Sequence, residues 1–166
     1  MYHTGYSAPY DQTLTSVAFH NHNGSCAVGL VIGLDPNTWG GLAVKLQDND
    51  GDKLFDRLFF EAAINAGAWF NSPTPVKFDL PTPLVEGHMT LSTLDADTAL
   101  CEIFDAADQL VGSYQASGVL GGSFPPVGNR VAIWAYNTPA FDDFSVMGNL
   151  NLVGAPSSLS MAAGGV

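Results

Sequence analysis

The sequence predicts an all-β protein, a two-sheet antiparallel β-sandwich. Three observations predict it. Short stretches alternate polar and apolar residues with the two-residue period of a half-buried strand. Turn residues separate them at regular intervals, 18 of the 166 residues being glycine and 10 proline. No long helical stripe dominates any region. A chain of 166 residues that is 46% hydrophobic and 13% charged is one globular domain with room for a two-layer core.

The elements follow in order. Residues 1–12 form an N-terminal extended segment with no strong strand or helix signal, carrying Tyr2, Tyr6 and Tyr10 four residues apart. The sandwich is assigned to residues 13–148 and a low-complexity tail of Gly, Ala and Ser to 149–166. Thr13 to His22 reads as a strand entering the turn Asn21-His-Asn-Gly24. His20 and His22 fall on one side of it; with no third ligand nearby, a polar turn is preferred to a metal pair. Cys26 to Leu34 is a strong strand, with Val28, Leu30 and Ile32 on one face and the small residues Ala27, Gly29 and Gly33, with Val31, on the other. That second face leaves room for something bulky. Trp39 to Gln47 is the next strand. Leu54 to Trp69 fits either a helical stripe or a strand with Phe55, Arg57, Phe59 and Glu61 on one face, and a strand to about Ala62 suits a sandwich. Asn71 to Pro83 is proline-rich and extended. Strands are expected over 87–94, 99–104 and 110–116, then over 130–136 and 141–146 around the turn Asn137-Thr-Pro139.

Five basic residues against sixteen acidic ones give a net charge of −11. That balance excludes nucleic acid and anionic membrane surfaces as natural partners, because both demand Lys and Arg. It favours solubility and cation binding. No stretch approaches membrane-spanning length. Met1-Tyr-His-Thr-Gly5 lacks a basic region and an apolar run, and we read the chain as a mature or trimmed form of an extracellular protein. Cys26 and Cys101 would form one disulfide in an oxidising compartment, worth ~4 kcal/mol in the chain-entropy view. Otherwise they are two buried thiols. Asp48-Asn-Asp-Gly-Asp52 places Asp48, Asp50 and Asp52 at alternate positions, an oxygen-rich loop of the kind Ca2+ uses. It is not an EF-hand, since Lys53 and Phe59 stand where glycine and glutamate would be needed. A solvated hairpin turn is the alternative.

Val28-Gly-Leu-Val-Ile32, the acidic turn, Met89-Thr-Leu91, the hairpin from Glu102 to Leu110, and Arg130-Val-Ala-Ile-Trp134 running into Phe141-Asp-Asp-Phe-Ser-Val146 together resemble the concanavalin A-like (laminin-G-like) jelly roll of bacterial secreted proteins. The resemblance covers roughly residues 13–148 and rests on pattern and one closing motif. That family includes sugar-binding modules, adhesins and glucanases, so the fold alone assigns no activity. Related carbohydrate-binding jelly rolls hold a structural Ca2+ with an Asp of the last strand, which implies Asp142 or Asp143 here; strand alternation turns one of the two inward. Hydrogen bonding to turn amides is the alternative role.

Catalysis is not expected. The Glu-x-Asp-x-Glu strand of the family's glucanases is absent; Glu102 and Asp105 are three apart and face opposite sides of a strand. Nor is there a Gly-x-Ser-x-Gly elbow. Sugar binding in such a fold uses aromatic platforms, for which Trp39, Trp69, Trp134 and Tyr136 are the candidates, although Trp134 also suits the core. The expected function is therefore non-catalytic glycan binding or adhesion outside the cell, with Ca2+ as the candidate cofactor. The alternative is a structural subunit that joins identical subunits into a filament or array, donating residues 1–16 or 149–166 as strands.

Overall fold

The computed structural model describes residues 2–7, 14–35, 37–38, 40–63, 76–95, 98–118, 128–137, 139–147 and 151–152. Among them are twelve strands and no helix. Two antiparallel sheets are stacked as a jelly-roll sandwich. The larger contains β1 (Tyr2–Ser7), β3 (Ala27–Leu34), β4 (Gly41–Gln47), β5 (Phe55–Ala63), β6 (Val76–Leu84), β10 (Arg130–Tyr136) and β12 (Asn151–Leu152), in the order β12-β1-β10-β3-β4-β5-β6. The smaller contains β2 (Leu14–His20), β7 (Glu86–Thr93), β8 (Thr98–Asp105), β9 (Leu110–Ser117) and β11 (Ala140–Met147), in the order β11-β2-β7-β8-β9.

The alternation read from the sequence decides which side chains meet between the sheets. Val28, Leu30 and Ile32 of β3, Leu42, Val44 and Leu46 of β4, and Leu58 and Phe60 of β5 face Val17 and Phe19 of β2, Met89 and Leu91 of β7, and Cys101 and Ile103 of β8 in one core. Burial of this apolar surface is the main stabilising term. Phe55 packs edge-on against Phe19, ring centroids 5.2 Å apart. Phe55 therefore points inward while Arg57, Phe59 and Glu61 line the other face; a register shift between Phe55 and Arg57 separates them, so the four do not share one face as the alternation predicts. Pro81 and Pro83 are accommodated because β6 is an edge strand with no neighbour needing their missing N–H.

The closing motif folds as two strands that join different sheets: β10 pairs with β1 and β3 in the larger sheet, and β11 pairs with β2 in the smaller one. Asn137, at φ 56°, makes the crossing, and its Nδ2 donates to the carbonyls of Gly24 and Ser25, each at 3.4 Å. The N-terminal segment, read as lacking a strand, supplies β1, which pairs with β10 and with β12. Both ends thus extend the chain's own larger sheet over these residues.

Candidate functional site

The two outer faces differ in chemistry. On the larger sheet every residue of β3 is buried, on both faces. Val31, Leu34, Ala43 and Ala132 form a second apolar cluster, and Trp134 packs against it. One row across this face runs Trp134, Gly29, Lys45, Phe59, Lys77. A Cβ on Gly29 would collide with the Val44 carbonyl oxygen, so the close approach of β3 and β4 requires glycine. The Lys45 ammonium lies over the Phe59 ring at 4.9 Å and the Trp134 ring at 5.5 Å. It pairs with Glu61 Oε2 at 3.0 Å, the two side chains only 12% and 6% exposed. That contact is an ion pair off the direction of a hydrogen bond, so Oε2 lacks a hydrogen-bond partner of its own. Burial pushes the Glu61 carboxyl above the usual carboxylate range, against the opposing pull of Lys45 and Lys77.

The outer face of the smaller sheet is polar and open. In one row, Ser145, Ser16, Thr90, Glu102 and Ser113 stand opposite one another across all five strands. The Ser16 and Ser145 hydroxyls are 2.8 Å apart. In the next row Asp142, Ala18, His88 and Phe104 are aligned, and the His88 ring stacks flat on Phe104 with centroids 4.5 Å apart. His88 Nδ1 lies 3.4 Å from Asp108, and His20 Nδ1 lies 3.0 Å from Glu86. His20 and His22 stack at 3.9 Å; the carboxylate paired with His20 comes from β7. A recess of about 500 Å3 opens here, lined by Ser16, Glu86, His88, Asp105, Asp108 and Asp143 among others. Gly87 lies in its wall, and a Cβ there would meet the Phe104 carbonyl oxygen.

The sequence-predicted residues are distributed as follows. Trp134 and Tyr136 belong to β10 of the larger sheet, Trp134 packed on the second apolar cluster and Tyr136 exposed, so neither lines the recess. Trp39 and Trp69 lie outside the described residues. Asp142 and Asp143 are both exposed, which corrects the inward-facing carboxylate. A bulge between Asp142 and Ser145, with Asp143 at φ 49°, breaks the alternation, and the Asp143 amide donates to Asp142 Oδ1 at 2.8 Å. Cys26 and Cys101 are free, buried thiols in the shared core, so the structure makes no disulfide between them. Burial, then the nearby Asp48 charge, pushes the Cys26 thiol up to about 11.

The acidic loop draws carboxylate oxygens of Asp48, Asp50 and Asp52 within 4.8 Å of one another. Asp48 is 1% exposed and accepts four hydrogen bonds: from Asn21 Nδ2, Ser25 N and Lys53 N at 2.9, 2.9 and 3.0 Å, and from Gly51 N at 2.7 Å. Burial raises its pKa, but these donors outweigh burial and hold the carboxyl below its ordinary range. Asp50 accepts from the Asp52 amide and Asp52 from the Leu54 amide. Four N–H groups converge on this one buried carboxylate, three on Oδ2 and one on Oδ1. Asp48 is the staple that joins the β2–β3 and β4–β5 loops.

Sequence reasoning missed the recess. Its strand contributions, Ser16 and His88, were legible as polar positions of alternating strands. Nothing local brings them beside the β8–β9 turn.

No protein-family model matches the sequence, and no curated protein matches it. Solved structures share the fold. Ligand-free congerin I superposes with a TM-score of 0.53 at 12% identity, covering 85% of this chain and 94% of its own. The carbohydrate binding module CBM66 from Bacillus subtilis gives 0.53 at 16% identity, over 84% and 76% of the two chains. A Scytalido-glutamic peptidase bound to a peptide-based transition state analog gives 0.50 at 13% identity, over 87% and 78%. The chain has the jelly-roll β-sandwich architecture of concanavalin A-like lectins. At these identities the likeness establishes the fold alone.

Proposed function

We propose that this chain is a non-catalytic, extracellular glycan-binding or adhesion module, and that it binds through the outer face of the five-stranded sheet. The observation that carries the reading is the recess of about 500 Å3 beside the row of Ser145, Ser16, Thr90, Glu102 and Ser113. Sugars present hydroxyls in a plane with apolar ring faces. Hydroxyl and carboxylate groups on a flat sheet, next to the stacked His88–Phe104 pair, match both parts. Congerin I and CBM66 share the sandwich, and the second is by name a carbohydrate binding module. The non-catalytic part is supported by Asp105, whose Oδ1 accepts the Ala107 and Gln109 amides at 2.8 and 2.9 Å and so serves the turn.

A glycan array probed with the purified chain tests this reading. Hits are expected, and Ser16→Ala with His88→Ala should lower affinity for them at least ~10-fold, the equivalent of ~1.4 kcal/mol, with an unchanged melting temperature. A blank array, or hits indifferent to both substitutions, overturns the assignment.

Self-assembly is the second reading. Leu110 and Met147 are exposed apolar residues on β9 and β11, the two edge strands of the smaller sheet, where a neighbouring copy could pair. Sedimentation showing a monomer at high concentration removes it.

A further inference from the structure

The charges of this molecule are divided between its sheets. All five basic residues belong to the larger one or to its β4–β5 loop: Lys45, Lys53, Arg57, Lys77 and Arg130. The five strands of the smaller sheet contain no Lys or Arg. Those strands and the β8–β9 turn carry Glu86, Glu102, Asp105, Asp108, Asp142 and Asp143. Four of the six line the recess, where the one side chain able to carry positive charge is His88.

These carboxylates are spaced for an extended ligand. Among the described residues, only Asp48, Asp50 and Asp52 bring three ligand atoms close enough to share a metal ion. The acids of the recess do not converge in that way; they border a cavity large enough for a sugar ring. They are also accessible, Glu86 being 52% and Asp108 87% exposed at the side chain. A recess of one sign focuses its field on whatever enters, raising affinity for the opposite charge and lowering it for the same charge.

We infer that the recess selects its glycan by charge, taking amino sugars whose amines are free and protonated and rejecting uronate-bearing or sulfated chains. The inference rests on the glycan reading of this face and names its ligand class. The ammonium of a glucosamine residue would lie among the carboxylates of Glu86, Asp108 and Asp143, while its ring hydroxyls meet the Ser16 side of the recess. N-acetylation would remove that charge and its attraction together.

Calorimetric titration with three oligosaccharides of equal length tests it: glucosamine, N-acetylglucosamine and galacturonate oligomers, slightly below neutral pH at low salt. The glucosamine oligomer should bind at least ~10-fold more tightly than its acetylated form, a difference of ~1.4 kcal/mol. The galacturonate oligomer should not bind. Added salt should shrink the advantage, because exposed charges are screened. Asp108→Asn with Asp143→Asn should abolish it while leaving the melting temperature in place, since both side chains are on the surface. Equal or tighter binding of the acetylated or the acidic oligomer overturns charge selection and leaves glycan binding standing. A polylysine peptide binding as tightly as the glucosamine oligomer overturns it too, since charge without sugar would then suffice. Failure of all three oligomers together with a blank glycan array removes the glycan reading itself.

Discussion

The two sheets are built from the same alternating strands and reach opposite ends. The seven-stranded sheet buries both faces of β3, and its outer face closes over an ion pair flanked by two aromatic rings. The five-stranded sheet buries one face and leaves the other as a polar surface with a recess. The first face is closed and the second is open. The difference teaches that outward-facing strand positions say little by themselves. Lys45 and Glu61 are polar and largely buried, whereas Ser113 and Asp142 are polar and exposed.

That contrast is breakable by substitution. The largest effect is expected from a charge placed on each outer face. Ala43→Lys puts an ammonium where exposure is 1%, and should cost about 4 kcal/mol in a urea melt. Ser113→Lys on the smaller sheet should cost less than ~0.5 kcal/mol. Comparable losses at both sites would erase the distinction.

Next in size is the buried pair. Lys45→Met leaves Glu61 buried without its 3.0 Å ion-pair partner, and should lower stability by about 3 kcal/mol. The double variant Lys45→Met with Glu61→Leu should recover most of that loss, because an apolar pair carries no desolvation cost. A double variant no better than the single one would mean that the pair does more than neutralise itself.

A smaller loss, about 2 kcal/mol, is expected for Asp48→Ala, which strands four donors of two loops. The folded Asp48 carboxyl titrates below the unfolded one, so its contribution is present above the ordinary carboxylate range and fades as pH falls through the lowered value. Glu61 has the opposite sign: its carboxyl titrates above the unfolded value, so its contribution holds at acid pH and is lost as pH rises through the raised value. Acid-limb stability curves of Asp48→Ala and Glu61→Gln should therefore diverge from the parent in opposite senses. EDTA should leave the melting midpoint unchanged, since hydrogen bonds close the acidic loop; a clear drop would restore a bound cation.

The smallest expected change is at Arg57, whose 2.9 Å pair with Asp79 is on an exposed edge. Arg57→Ala should cost no more than ~0.5 kcal/mol and less at high salt. A larger loss would extend the structural role of the seven-stranded face to its rim.

Much of this architecture was legible from residues alone. Val28, Leu30 and Ile32 alternate with Ala27, Gly29 and Gly33, so β3 and its inward face follow from period and size. The acidic loop was visible as a hairpin turn. Its role was not, because the Asp48 donors Asn21 and Ser25 come from a different loop. Two local breaks in period also escaped. At Phe55/Arg57 strand β6 advances five residues, Leu84 to Asp79, against two on β5, and at Asp142/Ser145 strand β11 carries one extra residue; each irregularity turns the neighbouring side chains to another face.

Strand identity, the inward-facing set and the acidic net charge belong to the sequence, because period, side-chain volume and charge are properties of neighbouring residues. Which sheet each strand joined belongs to the tertiary structure. The turn at Asn137 carries β10 and β11 to opposite sheets, and only that crossing and the pairing of β2 with β7 set Ser16, His88, Asp108 and Asp143 around one recess. Long-range pairing also collects all five Lys and Arg on one side of the sandwich. Hydrogen bonds between distant strands decide that division, and no local pattern encodes it.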